Sequence, residues 1–267
     1  MTFKPSLPVE RIVWRDGASR GAREVAAETP VAFVYDGGTE AVMMATPADL
    51  EDFALGFSLN DGVIASADDI AELDVVTAGR GIELRMVLRL RDRERLVTRR
   101  RLRAGPAGCG LCGVESIAEA VRPLPFVERG AVFAVAEIIG AMRSMRERQA
   151  LNARTHAVHA AALYVRGEGL VAVREDVGRH NALDKLAGAL VRAGRKASDG
   201  AVLMTSRVSV ELVQKAAMMG ASVLAAVSAP TALALEEAES AGLTVAGIVR
   251  DDGLEVFTHP MRLSGAR

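Results

Sequence analysis

The chain contains two cysteines, Cys109 and Cys112, which stand three positions apart. They belong to a segment, residues 105–113, that reads GPAGCGLCG and holds four glycines and a proline. Glycine adopts backbone angles that are closed to other residues, so another molecule can approach the sulfur atoms closely. A thiol pair in such a segment is typical of a reaction with another molecule rather than of packing in the core.

Zinc binding and dithiol exchange are two chemistries that use a Cys-x-x-Cys pair. A closed zinc site needs four ligands. His156 and His159 offer a second pair, but they stand farther along the chain than in a compact zinc finger, and His159 begins an apolar run. The His-x-Glu and Pro-Cys-x-x-Cys motifs of a zinc deaminase are missing. We therefore expect no bound metal.

Thioredoxin-like exchange places its motif between a strand and a helix near the start of a domain. This pair lies in mid-chain, which argues against that chemistry.

Sulfur carriage is the third chemistry. A thiolate can accept a sulfane sulfur as a persulfide and pass it on, which requires an exposed thiol with a lowered pKa. A short helix predicted at 116–121 would place its positive end beside the thiols. A set of arginines, the arginine collar, precedes the thiols and adds positive charge: Arg85, Arg89, Arg91, Arg93, Arg95, Arg99, Arg100, Arg101 and Arg103. The collar can equally be the solvated face of a strand pair, and two inert thiols in a loop remain a further interpretation.

Residues 174–185 form the most polar segment of the later half of the chain, between a predicted strand and a predicted helix. The start of a helix exposes amide hydrogens and a positive dipole end, which bind phosphate well. Arg179 and His180 would reinforce that binding. Asp176 or Asn181, taken alone, is better explained as a helix cap. The cluster as a whole, at the carboxyl end of a strand, predicts a ligand site.

Three later loops also follow predicted strands. Residues 205–209 and 228–231 join strands to helices, and residues 247–253 leave a strand in a glycine-bounded turn. These loops should meet along one edge of a sheet, where Arg207 and Arg250 could bind phosphates. Asp251 or Asp252 could accept hydrogen bonds from a base with two adjacent donors, as guanine has. A plain polar loop is the alternative interpretation of residues 250–253.

Regular elements must position these residues. Strands are predicted at 31–35, 41–45, 73–77, 82–90, 95–101, 157–164, 170–174, 201–205, 223–227, 244–249 and 254–258. Helices are predicted at 46–59, where Thr46 would be the cap, and at 116–121, 136–148, 181–193, 209–219 and 231–241. The later alternation predicts a largely parallel sheet with helices on both faces.

Composition excludes some classes of function. The 267 residues include 33 basic and 34 acidic side chains, which argues against general binding to nucleic acid or to a membrane surface. The longest uncharged stretch, residues 216–235, is interrupted by glycine, serine, proline and threonine, so it predicts a helix end, a strand and a turn rather than a membrane span. No signal peptide is expected at the start, so we predict a cytoplasmic protein without a structural disulfide.

The chain resembles the FdhD-type accessory sulfurtransferases of formate dehydrogenase maturation over nearly its whole length. The most specific match is the octapeptide EDVGRHNA at 175–182. The resemblance also rests on ETP at 28–30, TPADL at 46–50, GF at 56–57, CGLCG at 109–113, HAA at 159–161, SAPT at 228–231 and GIVR at 247–250.

The resemblance implies a fold as well as a function. It implies an α/β fold, a cytidine-deaminase-like three-layer sandwich with a mixed sheet at 126–267, preceded by a smaller β-rich α+β region at 1–125. It implies a homodimer that takes sulfur from a cysteine desulfurase onto Cys109, with Cys112 secondary. The cargo would be the molybdenum bis(molybdopterin guanine dinucleotide) cofactor, and the client the catalytic subunit of formate dehydrogenase. GDP would be a surrogate for part of that cargo.

In this family the cofactor segment would fall on Ile248, Val249, Arg250, Asp251, Asp252 and Gly253. The chain departs from the family at three places: Thr155-His156-Ala157 replaces Thr-Gly-Gly, Thr205-Ser206-Arg207 replaces Ser-Gly-Arg, and Ala107-Gly108 replaces serines. The lost glycines should reshape the pocket and affect rate and cofactor preference. A cofactor-binding chaperone that delivers the cofactor without carrying sulfur is the alternative function.

Overall fold

The structure is a computed structural model that describes residues 3–89, 123–128 and 130–265. Cys109, Cys112, the predicted strand at 95–101 and the predicted helix at 116–121 lie outside the described residues. So do all members of the arginine collar except Arg85 and Arg89. The boundary at residue 125 between two domains stays a prediction.

The first half of the described chain is rich in strands. Its elements are β1 (Ser6–Trp14), β2 (Ala18–Ala26), β3 (Thr29–Tyr35), β4 (Gly38–Ala45), α1 (Leu50–Asn60), β5 (Ile70–Ala78) and β6 (Gly81–Leu88). Strands β3 to β6 form one sheet in the order β4-β3-β6-β5. Helix α1 covers it through Phe53 and Phe57, whose ring centroids lie 4.9 and 3.9 Å from that of Phe33.

Strands and helices alternate in the second half. Its elements are β7 (Phe133–Ala134), α2 (Val135–Glu147), α3 (Ala150–Thr155), β8 (His159–Val165), β9 (Gly169–Asp176), α4 (Arg179–Arg192), β10 (Ala201–Met204), α5 (Val210–Met218), β11 (Val223–Ala226), α6 (Ala232–Ser240), β12 (Thr244–Arg250), β13 (Gly253–Val256) and β14 (Leu263–Ser264). Residues 216–235 therefore hold a helix end, a strand and a turn, as predicted. Within the described residues, no helix is long and apolar enough to cross a membrane.

The main sheet has six strands in the order β13-β12-β11-β10-β8-β9. The prediction of a largely parallel sheet is wrong, because only the pairs β10–β11 and β11–β12 are parallel. The pairs β8–β9 and β12–β13 are hairpins, whose short turns leave no room for the crossover that parallel neighbours need. The mixed sheet implied by the family resemblance is confirmed.

Side chains alternate between the two faces of this sheet. Val202 and Met204 of β10 pack in one core with α4, α5 and α6. Ala201 and Leu203 pack in another with α2. The predicted fold class, a three-layer α/β sandwich with a smaller β-rich α+β region before it, is confirmed.

The direction of the strands decides where the predicted site residues meet. Strand β9 is antiparallel to β8, and β8 is antiparallel to β10, so β9, β10, β11 and β12 all run the same way. Their carboxyl ends, together with the start of β8, lie at one edge of the sheet, which we call the carboxyl edge. All four loops singled out in the sequence follow strands at this edge.

Helix α1 joins the two sheets by packing against α4 at very short range. A Cβ atom built on Gly56 would lie 1.7 Å from the Asp184 carbonyl oxygen, and one on Gly188 would lie 1.9 Å from the Asp52 carbonyl oxygen. Only hydrogen atoms fit between the two backbones at these positions. The two glycines therefore allow the helices to touch along their main chains.

The hairpin of β1 and β2 is not predicted from the sequence. Most of its residues are exposed on both faces, and its apolar side chains are mixed with charged ones. A two-stranded ribbon without a buried face does not show the alternation of apolar and polar residues that indicates a strand. Helix α3 was also missed, because its six residues are too few for a helical period.

Candidate functional site

The start of α4 is organised by the buried carboxylate of Asp176, at the end of β9. Its Oδ1 atom accepts hydrogen bonds from the Gly178 amide at 2.8 Å and the Asn181 side chain at 2.9 Å. Its Oδ2 atom lies 2.6 Å from Lys185 Nζ, and both side chains are 0% exposed. Asp176 and Asn181 are therefore parts of a buried network rather than simple caps, and the N-cap residue is Gly178.

Thr46 belongs to the same network, so the prediction that it caps α1 is wrong. The N-cap of α1 is Asp49, in a left-handed conformation. The Thr46 amide donates to Asp176 Oδ2, its hydroxyl accepts from the Val177 amide, and its carbonyl accepts from Lys185 Nζ. Asp176, Val177 and Lys185 therefore bind the amide, the hydroxyl and the carbonyl of Thr46, respectively. The loop before α1 and the start of α4 are thus held together.

A second buried acid, Asp184, fixes α5 against α4. Both of its oxygens accept from Lys215 Nζ at 2.8 Å, and Oδ1 also accepts from Asn60 at 2.8 Å. Burial raises the pKa of Asp184, against the opposing effect of Lys215. Helices α4 and α5, which both start at the carboxyl edge, are therefore held together by this ion pair.

Titratable and hydroxyl side chains meet between these two helix starts, in what we call the edge cluster: His159, Arg179, His180, Ser209 and Glu211. His180 Nε2 lies 3.7 Å from Glu211 Oε2 and 3.5 Å from Ser209 Oγ. Burial lowers the pKa of His159, and the nearby charges of Arg179 and His180 lower it further. The buried Nε of Arg179 has no hydrogen-bond partner among the described residues. The buried Oε2 of Glu211 likewise has no hydrogen-bond partner within that part of the chain.

Glu211 was not identified from the sequence, although an acidic residue in the first turn of a helix is a detectable signal. The neighbouring His180 side chain, whose Nε2 lies 3.7 Å from Glu211 Oε2, together with that of Ser209, holds the pKa of Glu211 well below its usual range, at about 2. The carboxylate therefore stays ionised and keeps the imidazole in place beside Arg179.

Replacing Glu211 with glutamine should lower the free energy of unfolding at pH 6 by about 1 kcal/mol. The folded pKa is depressed, so the contribution is present above the unfolded value near 4.5 and is lost as the pH falls from 4.5 to about 2. Urea unfolding at pH 6, 4 and 3 measures the difference in the free energy of unfolding between wild type and variant. Glu236→Gln, at an exposed position on α6, is the control. A difference between wild type and variant that stays constant with pH would contradict this assignment.

The loops after β10, β11 and β12 form a continuous wall beside the edge cluster. The Val208 amide donates to the Ala229 carbonyl, the Thr231 amide to the Val208 carbonyl and the Ile248 amide to the Ser228 carbonyl. Arg207 is exposed on this wall. The predicted meeting of these loops along one edge is therefore seen in the structure.

The segment 248–253 lies at the other end of that wall. Arg250 is exposed, and its Nη1 atom donates to the Val227 carbonyl at 2.6 Å. Asp251 lies 3.6 Å from Arg143 Nε and 3.5 Å from Arg146 Nη1, both on α2. Asp251 therefore faces the α2 side of the sheet, whereas Arg179 and His180 lie on the side of α4 and α5.

The departures at 156 and 206 have definite places in the structure. His156 ends α3 with a φ of 53°, a left-handed conformation that glycine adopts freely and histidine tolerates. Ser206 is buried, and its hydroxyl donates to the Arg207 carbonyl. The backbone turn at 156 is thus formed without glycine.

Two further predictions concern metal and charge. Within the described residues, no group of three His, Cys, Asp or Glu side chains could hold a metal ion. Cys109 and Cys112 lie outside the described residues, so the absence of zinc stays a prediction. Arg85 pairs with Glu83 at 2.8 Å, and Arg89 donates to the Asp68 carbonyl, so these two members of the arginine collar are engaged locally.

Comparison with known proteins adds to this geometry. The model of the FdhD/NarQ family matches residues 26–264. The chain belongs to this family. It is 51% identical over 258 residues to the sulfur carrier protein FdhD of Agrobacterium fabrum, with 96% of this chain and 95% of the relative covered. It is 52% identical over 262 residues to the sulfur carrier protein FdhD of Brucella abortus, with 97% of each covered.

A solved structure agrees with the fold. A protein from Desulfotalea psychrophila, described as a formate dehydrogenase accessory protein, superposes with a TM-score of 0.76 at 26% identity. The match covers 97% of this chain and 99% of that protein. Membership of the FdhD/NarQ family, expected from the sequence motifs, is confirmed.

Proposed function

We propose that this protein is a sulfur carrier that takes sulfur from a cysteine desulfurase as a persulfide on Cys109. It transfers that sulfur to the molybdenum bis(molybdopterin guanine dinucleotide) cofactor before the cofactor enters the catalytic subunit of formate dehydrogenase. The observation that carries the proposal is the family match over 26–264, to relatives named as sulfur carriers, in a chain that has both thiols of the Cys-x-x-Cys pair.

The sulfur step follows from thiol chemistry. The Cys109 thiolate attacks the outer sulfur of the donor persulfide, a new S–S bond forms on Cys109, and the donor cysteine leaves as a thiolate. No electrons are gained or lost overall, so this step needs no separate oxidant or reductant. A glycine-rich surrounding suits the close approach of two proteins' sulfur atoms.

The cargo step is assigned to the carboxyl edge. The position at the carboxyl ends of parallel strands is where open α/β sheets bind nucleotides. Arg179, Arg207 and Arg250 supply positive charge there, and His180 supplies a ring nitrogen for hydrogen bonding. The Arg179 Nε, which has no partner among the described residues, favours a polyanion such as a diphosphate. Asp252 or Asp251 would accept from the guanine, which would then lie toward the α2 side of the edge, away from phosphates bound at Arg179. The pairs of Asp251 with α2 are exposed and at least 3.5 Å long.

GDP should bind as a surrogate for half of the cargo, with ADP weaker by roughly ten- to a hundredfold. One carboxylate can accept from the adjacent N1–H and N2–H donors of guanine, and leaving those donors unpaired costs roughly 1–3 kcal/mol. Calorimetric titration of both nucleotides against wild type and Asp251→Ala/Asp252→Ala measures the preference. Glu10→Ala, on the exposed hairpin, is the control. Equal binding of GDP and ADP, or an unchanged preference in the double variant, would place the guanine site elsewhere.

The alternative, a chaperone that only holds and delivers the cofactor, differs in one outcome. Such a protein would bind GDP in the same way but would gain no sulfur from a desulfurase. We also propose that the carrier acts as a homodimer in the cytoplasm. Sedimentation at several concentrations tests the dimer.

A further inference from the structure

The hairpin of β1 and β2, which we call the arm, holds a large aromatic side chain out in solvent. Trp14, the only tryptophan of the chain, ends β1 and is 78% exposed. Ile12, on the same face of the strand, is exposed as well. A two-stranded ribbon without a packed face is marginally stable in water, and tryptophan is enriched at protein interfaces. The arm therefore has the properties of a surface that another molecule covers.

Positive charge surrounds this apolar end of the arm. Three exposed arginines flank Ile12 and Trp14, and none of them has an ion-pair partner among the described residues: Arg11, Arg15 and Arg20. Arg20 lies directly opposite Ile12 in the register of the hairpin. Glu10 and Asp16 offset this charge only in part. A surface that fits the end of the arm would combine an apolar cavity with acidic side chains at its rim.

The chain has a cavity of this kind, with a volume of about 450 Å³. Gly242, one of its lining residues, stands just before β12, so the cavity lies at the edge of the main sheet opposite to the carboxyl edge. We call it the amino-edge cavity. Phe126 and Met261 line it and are 64% and 66% exposed. Pockets of roughly 300–1,000 Å³ hold drug-sized molecules, so the cavity has room for one indole ring.

A buried guanidinium in the lining suits an aromatic ring. Arg262 donates to the carbonyls of Gly242 at 2.7 Å and Val127 at 2.9 Å, and to Thr244 Oγ1 at 3.1 Å. Within the part of the chain that the structure describes, no carboxylate pairs with it, and burial lowers its pKa. Hydrogen bonds through the N–H groups leave the flat face of a guanidinium for stacking on a ring. The thioether of Met261 also makes favourable contacts with aromatic rings.

Acidic side chains lie at the rim of the amino-edge cavity. Glu128 lines it and is exposed, without an ion pair to any described residue. Glu239 lies beside it, with its Oε2 atom 3.6 Å from Nε2 of the lining residue His259. These acids complement the arginines of the arm, as the lining complements Trp14. Because the arm of the same chain leaves Trp14 in solvent, the ring can reach this cavity only in a second copy.

We infer that the arm of one copy inserts Trp14 into the amino-edge cavity of a second copy. In a two-fold dimer this contact forms twice, once for each arm. Pairing of two arms edge to edge is disfavoured, because Pro8 in β1 has no amide hydrogen to donate. The inference rests on the proposed function, because it assigns the interface of the homodimer proposed there.

The test uses Trp14 as its own probe, since the chain has no other tryptophan. Sedimentation and tryptophan fluorescence of the full chain are measured over the same concentration series. As the dimer forms, the emission should move to shorter wavelength and quenching by acrylamide should fall. Met261→Lys, which places a second cation beside Arg262, should raise the dimer Kd about thirtyfold. Val42→Lys, at an exposed apolar position on β4, is the control and should leave that Kd within twofold of wild type.

Mixing two variants tests the exchange of arms. Trp14→Ala keeps the cavity and Met261→Lys keeps the ring, so each alone loses both contacts of its dimer. The mixture should dimerise more tightly than either variant alone, because one of the two contacts is restored, and its emission should move to shorter wavelength. Both positions are exposed, so both variants should keep the wild-type unfolding midpoint.

Three results would overturn the inference while leaving the proposed function intact. They are a wild-type dimer in which acrylamide still quenches Trp14 fully, an unchanged dimer Kd in Met261→Lys, and a mixture that dimerises no more tightly than its parts. A wild-type chain that stays monomeric throughout the series would remove the inference and the proposed homodimer together. Sulfur uptake on Cys109, which is measured separately, would fail only if the proposed sulfur carriage itself is wrong.

Discussion

Replacing Gly188 with alanine is expected to lower the free energy of unfolding by about 3 kcal/mol. The new Cβ atom would lie 1.9 Å from the Asp52 carbonyl oxygen, and the atoms it meets belong to the α1 backbone, which cannot rotate away as a side chain can. The two helices must therefore separate along a contact that joins the two sheets. Urea unfolding followed by circular dichroism measures the loss.

Gly140→Ala is the matched control for this helix contact. Gly140 also lies inside a helix, α2, but a Cβ atom there meets nothing within 4 Å. Alanine at an exposed helical position should therefore stabilise the fold by about 0.5–1 kcal/mol. If both alanine variants change stability by the same small amount, the close contact of α1 and α4 is contradicted.

The second large effect is expected at Lys185, the buried partner of Asp176. Lys185→Met keeps the length of the side chain but leaves an unpaired carboxylate in a site that is 0% exposed. Breaking a buried pair from one side typically costs about 3–5 kcal/mol. Thr46 and Asn181 still donate to the carboxylate, so the fold should persist in a weakened form.

The double variant Asp176→Asn/Lys185→Met tests the cause of this loss. Removing both charges should recover a large part of the stability, because the unpaired carboxylate is no longer present. Urea unfolding of the single and double variants gives the coupling free energy between Asp176 and Lys185. Lys196→Met, at an exposed position, is the control. A loss below about 1 kcal/mol in Lys185→Met, or strictly additive losses, would contradict the assigned role.

Much of the fold follows from local patterns. The alternation of buried strands and helices after residue 157 predicts every later helix within about two residues. The direction of the strands does not follow from that pattern, because a hairpin and a crossover can join equally apolar strands. Thr46 shows a second limit. Its hydroxyl before a helix has the sequence signature of a cap, but in the fold the hydroxyl accepts from the Val177 amide, and the Thr46 amide donates to the buried Asp176, which comes from another part of the chain.

The candidate site, like the fold, could be predicted from the sequence only in part. Arg179 and His180 could be placed because a strand followed by a helix puts them at a defined edge. The side of the sheet that Asp251 faces could not be predicted, because a bulge at Ile248 shifts the alternation by one residue. Glu211 was missed because its role depends on His180, which is distant in sequence and close only after α4 and α5 are packed together.

The central claim is that Cys109 carries sulfur, and intact-protein mass spectrometry tests it most directly. The protein is incubated with a cysteine desulfurase and cysteine, and its mass is compared with that of Cys109→Ala and Cys112→Ala treated in the same way. We predict that wild type gains the mass of one sulfur atom, that Cys109→Ala gains none, and that Cys112→Ala keeps most of the gain. Equal sulfur uptake by Cys109→Ala, or no uptake by wild type, would contradict the account.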